Sequence, residues 1–261
     1  MIKVVVAGAA GKMGKEICKA VLDDPDTELY GAVDVKDVGK DVGELLGRSP
    51  IGIKITGLKK ALSGKGAGVL VDFTHAGAVM ENVRVATANG VHMVIGTTGL
   101  TEDDKLEIKK LCADNNVNAI IAANFAIGAV LMMKFAEMAA SYINRAEIIE
   151  LHHDQKRDAP SGTSIETAKL IAQKIKGPKV ESNEILEGAL GGKYENVHIH
   201  SVRLPGFVAH QEVIFGGIGQ VLSIRHDSID RTSFMPGVLM AIKAVSEHPG
   251  VTIGLDKIMD L

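Results

Sequence analysis

The chain has 261 residues, 46% of them hydrophobic and none of them Trp, which is ample for a core built on Val, Ile, Ala and Met and excludes a disordered polypeptide. Its length exceeds the usual single-domain size of roughly 100–150 residues, so two domains are the better expectation. The 29 basic and 32 acidic residues are interspersed and sum to a formal charge of −3, which argues against the basic field that nucleic acid or an anionic membrane needs and points to a small-molecule partner.

The first half alternates apolar strands with amphipathic helices, the pattern of a parallel sheet with crossover helices. Strands are expected at Lys3–Ala7, Glu28–Val33, Gly68–Phe73, His92–Ile95 and Ala119–Ala122, with helices near Met13–Asp23, Ala76–Ala88 and Glu102–Asn115. Thr101, with Asp104 three residues on, forms a variant of the capping box at the start of the last helix. A long apolar helix, about Ile127 to Ile143, then leaves the first domain. The longest apolar stretch, Ala119 to Met133, is interrupted by Asn124 and is shorter than the ~20 residues of a membrane-spanning helix, so a soluble cytoplasmic protein is expected.

Beyond that helix the pattern changes to strands at Ala146–His153, Asn196–Leu204, His210–Gly216 and Gln220–His226, with a helix at Thr163–Ile175, which reads as an α+β domain. A final helical pattern from Pro236 to Glu247 is expected to return to the first domain. Cys18 and Cys112 lie in helical segments without metal-ligand spacing and read as reduced, buried thiols. His198 and His200 form an HxH pair, but no third ligand stands at helical or short spacing, so no metal site is expected.

Two regions carry chemistry. Gly8, Ala9, Ala10, Gly11, Lys12, Met13 and Gly14 lie directly between a strand and a helix, where glycines let the backbone approach a pyrophosphate and the helix N-terminus stabilises its charge. The spacing is GxxGxxG rather than GxGxxG, so a plain strand-to-helix turn is the competing reading. Asp34, twenty residues past Gly14, favours the nucleotide, because a carboxylate there accepts bonds from a ribose. Later loops, Asp72 to His75, Gly96-Thr97-Thr98-Gly99 and Ala122-Ala123-Asn124-Phe125, sit at strand ends where they would touch the nicotinamide half.

The second region is the run Glu150 to Thr163. His152 and His153 end a strand, Lys156 supplies a cation suited to a dianionic substrate, and Ser161, Gly162 and Thr163 after Pro160 offer N–H groups and hydroxyls to a carboxylate. Hydride addition to a conjugated C=N or C=C leaves charge that must be protonated, so a hydride donor beside His and Lys is a consistent set.

The chain resembles the dihydrodipicolinate reductase (4-hydroxy-tetrahydrodipicolinate reductase) family of bacterial lysine and diaminopimelate synthesis. The likeness rests on the glycine turn, Asp72-Phe73-Thr74, Gly96-Thr97-Thr98-Gly99, Ala123-Asn124-Phe125 and above all HHxxKxDAPSGT from His152 to Thr163. The resemblance implies a Rossmann-like α/β nucleotide domain over residues 1–125, rejoined by a C-terminal helix within 233–261, and an α+β domain over 126–232 that binds substrate and forms a homotetramer through an open mixed sheet. It implies NADH or NADPH as cofactor, held by Gly8 to Met13, Asp34, Gly96 to Thr98 and Ala122 to Phe125. His152 and Lys156 would be the acid–base pair, with His153, Ser161, Gly162 and Thr163 on the dicarboxylate. Val35 stands where some members carry an arginine for the extra phosphate of NADPH. Two rival readings are another imine or amino-acid oxidoreductase and an NADH-binding redox sensor without turnover; for the sensor, no basic DNA-recognition helix is evident.

Overall fold

The computed structural model describes residues 1–64, 66–176, 183–259 and 261. They divide into two compact units, Met1–Phe125 with Phe234–Leu261, and Ala126–Ser233.

The first unit begins with β1 (Ile2–Ala7), α1 (Lys12–Asp23), β2 (Thr27–Val33), α2 (Val42–Leu45), β3 (Ile55–Thr56) and α3 (Leu58–Leu62). It continues with β4 (Val69–Asp72), α4 (Ala76–Ala88), β5 (His92–Ile95), α5 (Glu102–Asn115) and β6 (Ala119–Ile121). These strands pair in parallel. A parallel sheet is covered on both faces, so its strands are apolar throughout rather than alternating, and Val4, Val5, Val6 and Ala7 are all fully buried. The expected α4 and α5 have the bounds read from the sequence. At α5, Thr101 Oγ1 accepts the Asp104 N–H at 3.1 Å and the Asp104 carboxylate accepts the Thr101 N–H at 2.8 Å, closing the capping box. By contrast, α2, β3 and α3 were not foreseen: two to five residues are too few to express a hydrophobic period.

The second unit holds α6 (Ile127–Ala140), β7 (Ala146–His152), α7 (Gly162–Ala172), β8 (Gly192–Tyr194), β9 (Val197–Arg203), β10 (Ala209–Gly217) and β11 (Gln220–Ser228). The mixed sheet has the order β11-β10-β7-β9-β8; β7 and β9 are parallel and the other neighbours antiparallel. Alternation decides which side chains meet the helices. Ile148, Ile199, Val213 and Phe215 pack with Met132 and Ala136 of α6 and Ala168 and Ile171 of α7, whereas Glu147, Val221 and Arg225 on the opposite face are exposed. Helix α6 ends at Ala140, a turn earlier than its apolar run suggests, where the Ser141 and Tyr142 N–H groups bond the Met138 and Ala139 carbonyls three residues back, at 3.1 and 2.9 Å, and tighten the last turn.

The tail returns to the first unit through α8 (Met235–Ala244), which carries Pro236 in its first turn, and β12 (Val251–Ile253), which pairs in parallel with β6. The completed sheet order is β12-β6-β5-β4-β1-β2-β3. Gly237 makes the return possible, since a Cβ there would stand 2.1 Å from the Phe125 carbonyl oxygen. The Asn118 amide fastens it, donating to the Val245 carbonyl at 3.0 Å and accepting the Gly250 N–H at 3.0 Å. Cys18 and Cys112 are free and buried, and burial pushes their thiols up to about 12 and about 11. Among the described residues no helix is long and apolar enough to cross a membrane, and no group of three or more His, Cys, Asp or Glu could hold a metal.

Candidate active site

The glycine turn occupies the β1–α1 connection. Gly8 adopts φ +83°, and a Cβ on it would lie 2.6 Å from the Phe73 carbonyl oxygen; a Cβ on Gly14 would lie 2.0 Å from the Gly8 carbonyl oxygen. The Gly8 and Ala9 N–H groups bond the Val33 carbonyl at 2.9 and 3.1 Å, fixing the turn against the end of β2. Gly11 is the N-cap of α1 and brings no side chain to it, so the first-turn N–H groups behind Lys12, Met13 and Gly14 have no cap from that residue. Asp34 meets this turn: its carboxylate accepts the Ala10 N–H at 3.0 Å and the Lys36 N–H at 2.9 Å. Each oxygen keeps acceptor capacity for a diol. A tight backbone cradle, a helix N-terminus and a strand-end carboxylate fit the pyrophosphate and ribose of a dinucleotide.

Two further loops of the same unit are locked together. The buried Asp72 carboxylate accepts from the Thr74 N–H and hydroxyl, the Thr97 hydroxyl at 2.7 Å and the Asn82 amide at 2.7 Å. Thr97 is therefore spent on structure, and Thr98 beside it is exposed. Phe73 lies against Gly96, where a Cβ would come within 2.2 Å of its ring, and its centroid is 5.4 Å from that of Phe125. Ala122 is held by its N–H to the Ile95 carbonyl at 3.1 Å, Ala123 is exposed and Asn124 half-buried.

In the second unit the run from Glu150 is built on β7, the loop after it and α7. Glu150 faces the same side of the strand as Ile148 and His152, since side chains alternate. It is fully buried, and its carboxylate takes two bonds from the Arg203 guanidinium at 2.7 and 2.8 Å and a short bond from His152 Nδ1. Burial pushes the Glu150 carboxyl up, but the hydrogen bonds from His152, Arg203 and Ser201 outweigh it and hold it down to about 2. Arg203 also donates to the Asp158 carbonyl at 2.7 Å, and the Asp158 carboxylate holds Lys156 Nζ at 2.7 and 2.9 Å. One polar chain thus runs from His152 through Glu150, Arg203 and Asp158 to Lys156.

Strand β7 ends at His152, so His153 already belongs to the loop; its Nδ1 is buried without a partner among the described residues. Ser161 is the N-cap of α7, its hydroxyl accepting the Ser164 N–H at 3.2 Å, and Ser164 in turn donates to Gln211. The Ser161 hydroxyl therefore serves the helix, while Gly162 is exposed with open space beside it and Thr163 half-buried. His200 pairs with Glu147 at 2.8 Å on the face away from the helices. Glu150, Arg203, Asp158 and Gln211 belong to the site without any role for them being legible in the sequence pattern. The available signal was Glu150 itself, an acid at a core-facing strand position, which demands a buried partner.

Residues 2–125 match the family model described as dihydrodipicolinate reductase, N-terminus, and residues 128–259 match the one described as its C-terminus. The chain is 49% identical over 265 residues to the 4-hydroxy-tetrahydrodipicolinate reductase of Desulfitobacterium hafniense (strain DSM 10664 / DCB-2), covering 99% of each. It is 51% identical over 261 residues to that of Syntrophomonas wolfei, covering 98% of each. A solved structure, dipicolinate-bound dihydrodipicolinate reductase from Paenisporosarcina sp. TG-14, is similar with a TM-score of 0.87 and 42% identity, covering 99% of both chains. The resemblance carried by HHxxKxDAPSGT thus extends over both units, and the chain belongs to the dihydrodipicolinate reductase family.

Proposed function

We propose that this chain performs its family's reaction with His152 and Lys156 as the proton-transfer residues. The reaction is the NAD(P)H-dependent reduction of 4-hydroxy-tetrahydrodipicolinate, by way of dihydrodipicolinate, to tetrahydrodipicolinate in lysine and diaminopimelate synthesis. The bound nicotinamide supplies hydride. Gly8 to Met13 receive the pyrophosphate, Asp34 the ribose, and Gly96, Thr97, Thr98 and Ala122 to Phe125 shape the nicotinamide half. Residues 1–125 with the C-terminal helix of 233–261 act as the dinucleotide-binding domain, and 126–232 as the substrate and assembly domain.

Addition of hydride to the ring leaves one negative charge, and the acid–base pair of His152 and Lys156 supplies the single proton that neutralises it. His153, Gly162, Thr163 and the backbone of Ser161 at the N-terminus of α7 hold a substrate carboxylate, which the helix dipole favours. The observation that carries this reading is the polar chain joining His152 to Lys156 through Glu150, Arg203 and Asp158. A homotetramer assembled through the exposed sheet face, and a cytoplasmic location, fit the same reading.

The test is turnover of His152→Ala and Lys156→Ala with NADH and NADPH. Each should lose about 10²-fold or more in kcat, as removal of a positioned proton donor does. Near-wild-type kcat in both variants would reject the assignment.

A further inference from the structure

We infer that Glu150 is a positioning residue for the reaction: held by Arg203, its carboxylate accepts a hydrogen bond from Nδ1 of His152 and thereby makes Nε2 the nitrogen that exchanges a proton with substrate. The inference rests on the reading of His152 as a proton-transfer residue and adds what prepares it for that role.

A carboxylate buried as completely as Glu150 needs full compensation. Arg203 alone provides a bidentate pair at 2.7 and 2.8 Å, and Ser201 adds a further bond. With Arg203 in place Glu150 is ionised and has no proton to give, so the Nδ1 atom must be the donor in its contact with His152. In the neutral ring a hydrogen on Nδ1 leaves Nε2 as the acceptor. When Nε2 gains a proton, the adjacent carboxylate balances the imidazolium charge.

The surroundings leave this role to Glu150. Gln211, opposite Glu150 in the ladder, is turned to α7, where its amide donates to Thr167 at 2.8 Å and its carbonyl accepts from Ser164 at 2.7 Å. Arg203 lies opposite His152 in the β7–β9 ladder, yet it is engaged by Glu150 and by the Asp158 carbonyl. The same guanidinium therefore fixes both the histidine's carboxylate and the loop that carries Lys156.

The test compares Glu150→Gln, His152→Gln and the double variant in the full chain. Glu150→Gln should lower kcat about 10-fold or more while KM and the NADH dissociation constant stay within about two-fold, because the amide keeps the shape but no longer dictates the tautomer. The double variant should lose no more than His152→Gln alone, as residues acting as one unit do. Wild-type kcat in His152→Gln would remove the underlying reading of His152. A large loss in His152→Gln with wild-type kcat in Glu150→Gln would overturn the inference alone. NMR of the wild-type chain with nitrogen-isotope-labelled histidine decides the matter even where Glu150→Gln fails to fold: neutral His152 should carry its hydrogen on Nδ1, and a hydrogen on Nε2 overturns the inference.

Discussion

Asp34 accepts the backbone N–H of Ala10 at 3.0 Å, joining the end of β2 to the middle of the glycine turn. One carboxylate thus shapes the pyrophosphate cradle and presents acceptors to the ribose. Asp34→Ala should weaken NADH binding by several-fold through both losses. Titration of the cofactor measures it, and an unchanged dissociation constant would remove Asp34 from the site.

Gly14 is the tightest point of the same turn. A methyl group there would press 2.0 Å from the Gly8 carbonyl oxygen, which belongs to backbone and cannot swing aside. Gly14→Ala should lower stability by about 1–3 kcal/mol, as overpacking does, and abolish detectable NADH binding. A thermal melt with a cofactor titration reads both effects; wild-type values would show that the turn has slack.

Neither relationship follows from residue types alone, although much of the architecture does. Helices α4 and α5 were legible to the residue because Thr101 and Asp104 mark one start and each helix runs over more than three turns. The buried strands were legible as continuous apolar runs. Strands β3 and β12, of two and three residues, take their structure from the neighbours they pair with, which no local pattern records. HHxxKxDAPSGT pointed to His152 and Lys156, but what ties them together was hidden: Arg203 lies 53 positions from Glu150. Proximity of that kind is a product of the β7–β9 ladder.

That ion pair also sets an acid limit on the second unit. Although burial opposes ionisation, the bonds from His152 and Arg203 hold Glu150 at about 2, below the ordinary 4.5. Between these values the unfolded chain binds a proton that the folded chain does not, so stability rises with pH. Glu150 contributes its full stabilisation above about pH 4.5 and loses it as pH falls toward about 2. Urea unfolding from about pH 5 to about pH 3 should show the wild-type advantage over Glu150→Gln shrinking by up to about 1.4 kcal/mol per pH unit. A constant difference across that range would mean that Glu150 binds protons alike in the folded and unfolded chain, so that the fold does not hold its carboxyl down.

The most direct measurement follows the absorbance of NADH and of NADPH in parallel while 4-hydroxy-tetrahydrodipicolinate is generated enzymatically in the cuvette. The account predicts that at least one of the two reduced cofactors is oxidised only when that substrate is supplied, and that His152→Ala and Lys156→Ala slow the loss. No oxidation of either cofactor with the substrate present would contradict it.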